Sequence, residues 1–190
     1  MSSPFDGYLS HLPPEHREAL AKEIARTTKV VHKPIVTPAT ATPQPGLGPL
    51  EVAIGTAIGL SFSTPATDRA YRSFKIDNDF IGSPSFHVHW TKGDDTNQSG
   101  NTVRWQIDYH VFNGRDQDIS NGSITTLIVD DTYDDAGSTT RVVHRTQNID
   151  ASNFTAGYYV GLAIKVVPGS TTVVNPTLIT VDLITDIAIE

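Results

Sequence analysis

The sharpest chemical signal in the chain is His87-Val88-His89. On a strand, side chains two apart share a face, so the two imidazoles stand side by side as a metal takes them from a His-x-His pair. If strands over 85–92 and 102–112 are neighbours, Asp108 and His110 join that face, and His87, His89 and His110 form the metal-binding alternative. A metal site needs three or four ligands with a second shell behind them. The spacing supplies only the pair, so the reading is solvent-facing or interface histidines, no metal and no other cofactor.

Other residues of catalytic type lack a frame. The run Asp130-Asp131-Thr132-Tyr133-Asp134-Asp135-Ala136-Gly137 offers hard oxygen ligands for calcium but does not follow the EF-hand spacing, so a solvated loop is expected. Histidines stand at 11, 16, 32, 87, 89, 110 and 144, with no Gly-x-Ser-x-Gly elbow and no Gly-rich phosphate cradle between a strand and a helix. An enzyme is not expected. Gly82, four residues and His87-x-His89 resemble the opening of the cupin motif, itself carried on a jelly roll. The glutamate that should follow is missing, Asp94 is the nearest acid, and Pro168-Gly169 has no later histidine.

The elements that would hold these residues are strands. A two-residue beat runs from Leu50 to Phe62, with Val52, Ile54, Ile58, Leu60 and Phe62 bulky and Ala53, Gly55, Ala57, Gly59 and Ser61 small. Strands are expected over 51–62, 71–76, 85–92, 102–112, 123–130, 140–147, 157–167 and 177–189, broken by turn residues such as Lys92-Gly93-Asp94-Asp95, Asn113-Gly114, Asn121-Gly122 and Pro168-Gly169. Phe86, Val88 and Trp90 alternate with His87, His89 and Thr91, and Val103, Trp105, Ile107 and Tyr109 with Arg104, Gln106 and Asp108. About eight strands without helical patterns between them predict an all-β, jelly-roll-like β-sandwich over residues 51–190. Trp90 and Trp105 fall on the bulky faces and are expected in the core. Tyr158 and Tyr159 are adjacent, so at least one is expected to face outward, the kind of ring on which carbohydrate-binding sandwiches stack sugars.

Two segments precede the sandwich. Residues 1–30 form an arm with a short helix, opened by Pro13 and Pro14 and striped by Ala19, Leu20, Ala21, Ile24 and Ala25. With two large apolar residues it is marginal alone and needs a surface, on its own domain or on a neighbouring subunit, unless it stays a loose tail. Residues 31–50 carry Pro34, Pro38, Pro43, Pro45 and Pro49. Proline fixes φ and removes donors, so an extended tether is expected that carries the helix away from its own body. Leu20, Ile24, Arg17, Arg26, Pro34 and Pro38 are the expected partner-binding residues of this arm.

Charge narrows the partners. Residues 1–49 carry five Lys/Arg and four acids, whereas residues 50–190 carry nine and seventeen. An acidic body repels phosphate backbones, so direct nucleic-acid binding is not expected. No apolar run is long enough to span a bilayer, and Met1–Gly7 lacks the basic and apolar regions of a secretory signal. With no cysteine there are no disulfides or thiolate sites.

The stretches Gly82-Ser83-Pro84-Ser85-Phe86-His87-Val88-His89-Trp90, Trp105-Gln106-Ile107-Asp108-Tyr109 and Gly157-Tyr158-Tyr159-Val160-Gly161-Leu162 resemble segments of jelly-roll structural proteins of tailed bacteriophages, over roughly residues 70–190. In capsid cement (decoration) proteins of this kind, a β-domain trimer sits on the shell and arms interlock neighbouring capsomers. The resemblance implies a non-enzymatic virion protein on the capsid surface, made in the host cytoplasm. It would be a homotrimer whose partners are the major capsid protein or other virion proteins. A tail, collar or fibre component fits the same stretches. The alternative from the residues themselves is a cupin-like metal-binding or lectin-like carbohydrate-binding jelly roll.

Overall fold

The computed structural model describes residues 13–43, 48–63, 66–114, 123–134 and 141–188. Within them the chain forms a helix, α1 (Pro14–Thr27), followed by β1 (Thr28–Val36), β2 (Thr42–Pro43), β3 (Leu50–Ile54), β4 (Ala57–Ser61), β5 (Ala70–Lys75), β6 (Phe80–Thr91), β7 (Thr102–Phe112), β8 (Thr125–Thr132), β9 (His144–Arg145), β10 (Ile149–Asp150), β11 (Tyr159–Val166) and β12 (Thr177–Ala188). The strands form two antiparallel sheets. In one, β6 and β12 are central, with β9 and β10 beyond β6, the β3–β4 hairpin beyond one end of β12, and β1 along its other end. The second runs β2-β5-β11-β7-β8.

Alternation sorts the side chains as a half-buried sheet requires. Val103, Trp105, Ile107 and Tyr109 of β7 and Val160, Leu162, Ile164 and Val166 of β11 point inward and meet Phe86, Val88, Trp90, Val181 and Leu183 of the other sheet. Trp90 and Trp105 are fully buried, as their bulky-face positions predict, with ring centroids 6.4 Å apart, and Phe62 packs edge-on against Trp105 at 5.4 Å. The all-β sandwich expected from the turn spacing is the fold.

Three expectations need correction. The beat over 51–62 is a hairpin, not one strand: Gly55 takes a φ of +61°, as the first central residue of a II′ turn requires, and Ile54 pairs with Ala57. The two-residue loop brings bulky against small, Val52 opposite Gly59 and Ala53 opposite Ile58, which is why the beat runs unbroken through the turn.

Second, residues 31–36 of the expected tether belong to β1, in register with β12 from Thr28↔Ala188 to Val36↔Val181. Proline does not prevent this, because β1 pairs with β12 alone and Pro34 sits exposed where the register shifts. Pro38 lies in a turn closed by hydrogen bonds from the Thr40 and Ala41 N–H groups to the Thr37 carbonyl, a position where its fixed φ is an advantage. Pro43 lies in β2, paired with Ala70; Pro45 falls outside the described residues. The boundary at residue 50 therefore does not separate an arm from the sandwich.

Third, α1 does form where Pro13 and Pro14 place it, but it runs directly into β1, so its C-terminal end is fixed at the sandwich edge. Leu20 is 40% exposed and Arg17 lies on the same helix, as do the positions of Ile24 and Arg26.

Candidate functional site

His87 and His89 do share the outer face of β6, with ring centroids 6.4 Å apart. They do not meet His110 or Asp108. β6 pairs with β12, β9 and β10, whereas β7 lies in the other sheet, so the expected neighbouring of 85–92 and 102–112 fails and the third ligand is on the far side of the sandwich. Among the described residues no three histidine, aspartate or glutamate side chains stand together in a metal-holding arrangement. Of the acidic run, Asp130 forms a two-pronged pair with Arg104, which holds the carboxyl below its ordinary pKa, and Asp131 Oδ2 accepts the Trp90 indole N–H at 2.8 Å. Tyr133 is buried in the core. The start of the run is thus committed to the fold, and residues 135–137 fall outside the described ones.

What His110 does line is a trough on the outer face of the five-stranded sheet. The register sets three rungs across β5, β11 and β7: Tyr71, Ala163 and Asp108; Ser73, Gly161 and His110; Lys75, Tyr159 and Phe112. The middle strand contributes almost no side-chain height at Ala163 and Gly161, so the flanking residues become walls. The cavity over them is about 330 Å³. Tyr71 is the wall on one side and Ile124 a ledge on the other, both exposed. Phe112 and Tyr159 stack at 5.8 Å and 17°, and His110 leans edge-on to Phe112, closing one end. A second hollow, of about 220 Å³, continues past His110 between Ser123, Thr125 and Asn153.

Of the polar groups that line the trough, among them Arg72, Ser73, Asp108 and His110, the Asp108 carboxylate is the one held in a network. Asp108 Oδ1 accepts from Gln106 Nε2 at 2.8 Å and from Thr126 Oγ1 at 2.7 Å, while Lys165 Nζ stands 3.7 Å from Oδ2. The carboxylate is held in place and its charge is balanced, yet a carboxylate can accept about four hydrogen bonds, leaving capacity for a ligand hydroxyl. An apolar trough with a small number of oriented polar groups is the usual form of a binding site.

Sequence reasoning reached Tyr159, Asp108 and His110 but not the trough. Its visible trace is the outward pair Gly161 and Ala163 on a strand whose inward residues are all bulky. Both Tyr158 and Tyr159 are partly exposed at the start of β11, in keeping with at least one facing outward.

No protein-family model matches the chain, and no curated protein matches it. Among solved structures, it overlaps a family 35 carbohydrate-binding module from Clostridium thermocellum at 11% identity and a TM-score of 0.42, over 82% of this chain and 97% of that one. A family 35 module from Cellvibrio japonicus overlaps at 14% identity and a TM-score of 0.35, over 85% and 99%. Dimeric latent PorU from Porphyromonas gingivalis overlaps at 11% identity and a TM-score of 0.41; the match takes in 85% of this chain and 13% of that chain's length.

Proposed function

We propose that the protein is a non-catalytic, lectin-like binding module that takes an uncharged oligosaccharide into the trough over Gly161 and Ala163. The reading is carried by one observation: two small residues that are neighbours on the outer face of β11 form a floor between Tyr71 on one side and Asp108 and His110 on the other. A sugar ring offers an apolar C–H face and a rim of hydroxyls. Tyr71 supplies flat apolar area at low entropic cost, and Ser73, Asp108 and His110 supply donors and acceptors at the rim. The acidic body, nine Lys/Arg against seventeen acids over residues 50–190, favours a neutral chain over a polyanionic one. The hollow beyond His110 gives the chain room to continue.

The test is titration calorimetry against a panel of short neutral hexose and pentose oligosaccharides. At least one is expected to bind, and Tyr71→Ala is expected to weaken it on the order of tenfold, with the melting temperature kept because Tyr71 is 40% exposed. No binding across the panel, or binding untouched by Tyr71→Ala, removes the trough as a glycan site.

One observation favours attachment to a larger assembly as a second reading. Pro14, His16, Arg17, Glu18, Ala19, Leu20 and Glu23 of α1 are exposed, so these residues do not turn into the sandwich. An amphipathic helix of this length gains stability from a surface it docks on, and in this reading that surface belongs to a virion shell or another virion protein around a homotrimer. Deleting residues 1–27 is expected to abolish attachment to particles and to leave the sandwich folded. Deletion through residue 49 is expected to cost a further 3 kcal/mol or so, because it strips Ile35 and Val36, both buried, from the core. Attachment that survives loss of residues 1–27 ends this reading, and circular dichroism melts report the second half.

A further inference from the structure

The histidines on the opposite face form a cluster the trough does not use. His87 is 6% exposed; its Nε2–H is donated to Asn148 Oδ1, so its bare nitrogen is Nδ1, which is buried without a partner. His32 reaches toward it from β1, ring centroids 6.3 Å apart, and His89 flanks it on β6. The charged groups around it are unevenly placed. Asp182 of β12 is turned to His89, with Oδ2 3.2 Å from Nε2 though out of line for a hydrogen bond, and receives the Thr180 hydroxyl on Oδ1. Arg145 stands opposite His89 on β9, and Asp150 opposite Ser85 on β10.

A proton arriving at His87 Nδ1 meets no acceptor there, and it arrives among His32, His89 and Arg145. Burial first, then the charges of Arg145, His89 and His32, hold the imidazole below the usual 6.5, against the opposing effect of the Asn148 bond. The folded value lies below the unfolded one, so the unfolded or opened state binds more protons. The contribution of a neutral His87 is complete well above pH 6.5 and is lost as pH falls below that value.

The segments covering His87 are not equally secure. On the β9–β10 side, Thr146 N–H bonds the Val88 carbonyl at 3.0 Å, Thr146 Oγ1 accepts from Val88 N–H, Ala151 N–H bonds the Pro84 carbonyl and Ile149 is buried. On the other side, β1 buries Ile35 and Val36 at its far end, while Lys29, Val30, His32 and Lys33 are exposed. Its side-chain tie there, Lys33 to Asp77 at 3.0 Å, is a surface pair of small value.

We infer that His87, with His32 and His89, is an acid-sensitive latch: it holds the first half of β1 on β12 at neutral pH, and its protonation releases Thr28–Lys33 together with α1. The release stops at Ile35 and Val36, which stay anchored in the core.

Hydrogen exchange on the full chain at pH 7.5 and pH 5.0, corrected for the intrinsic pH dependence of exchange, tests this. Protection of the Thr28–Lys33 amides is expected to fall about tenfold for each pKa unit separating the closed and released states, while β7 and β11 keep theirs. His87→Gln, a neutral amide still able to bond Asn148, is expected to remove the pH dependence. In the unmodified chain, the NMR titration midpoint of the His87 ring is expected to fall below 6.5 and to coincide with the release, which decides the matter if the variant does not fold. Equal protection at both pH values overturns the latch, as does a loss that persists in His87→Gln or follows a different midpoint.

Discussion

Trp90→Ala is expected to cost about 4 kcal/mol of stability and to lower the melting temperature by about 8–16 °C. Trp90 is fully buried where the two sheets meet, with Trp105, Tyr133 and His144 at centroid distances of 6.4, 5.7 and 5.5 Å. Truncation removes the apolar area of the indole and leaves a cavity walled by strands of both sheets, which cannot collapse without moving β6 against β7. It also takes the N–H partner from Asp131 Oδ2. Trp90→Phe separates the two losses: the ring contacts mostly remain, the indole donor does not, and a cost of about 1.5 kcal/mol is expected. Chemical denaturation followed by circular dichroism measures both. If Trp90→Ala is no worse than Trp90→Phe, the ring contacts across the interface are not what holds the sheets together.

The contrast between β7 and β1 explains how far the fold is legible in the chain. β7 is readable to the residue because alternation, aromatic content and the Asn113-Gly114 break agree, and Gly114 has the positive φ that such a break demands. β1 is hidden because Pro34 within it and the prolines that follow argue against a central strand, and nothing local says that its place is an edge. The same blindness to partners misplaced His110. The long strand that pairs with β6 along its length is β12, about ninety residues on, and sequence spacing holds no record of a pairing at that distance. Face-sharing along one strand, as for His87 and His89, was legible; convergence between strands was not. The trough is the extreme case, since Tyr71, Asp108 and Ala163 come into line only through the register of three strands.

That register makes Gly161 the most sensitive position of the proposed site, and Gly161→Leu is expected to reduce oligosaccharide binding by more than about a hundredfold while sparing the fold. Gly161 lies in β11 between inward-facing Val160 and Leu162, so a side chain added there points outward into the trough. A Cβ would meet Phe112 Cε1 at 3.7 Å, an ordinary contact, and the backbone carries no positive φ that a larger residue would strain. Glycine is also a poor strand former, so the substitution is neutral or mildly stabilising for the sheet. Nothing in the fold therefore requires glycine here; the trough does. A leucine would occupy the floor between Ser73 and His110, where a bound ring must lie to touch both walls. Gly161→Ala, which adds a single methyl, is expected to weaken binding only a few fold, and the graded pair distinguishes filling of the trough from disturbance of the strand. Calorimetry with the best oligosaccharide from the panel, alongside a thermal melt of each variant, gives both readouts. Full affinity in Gly161→Leu would place the ligand elsewhere on the molecule, whatever the effect of Tyr71→Ala.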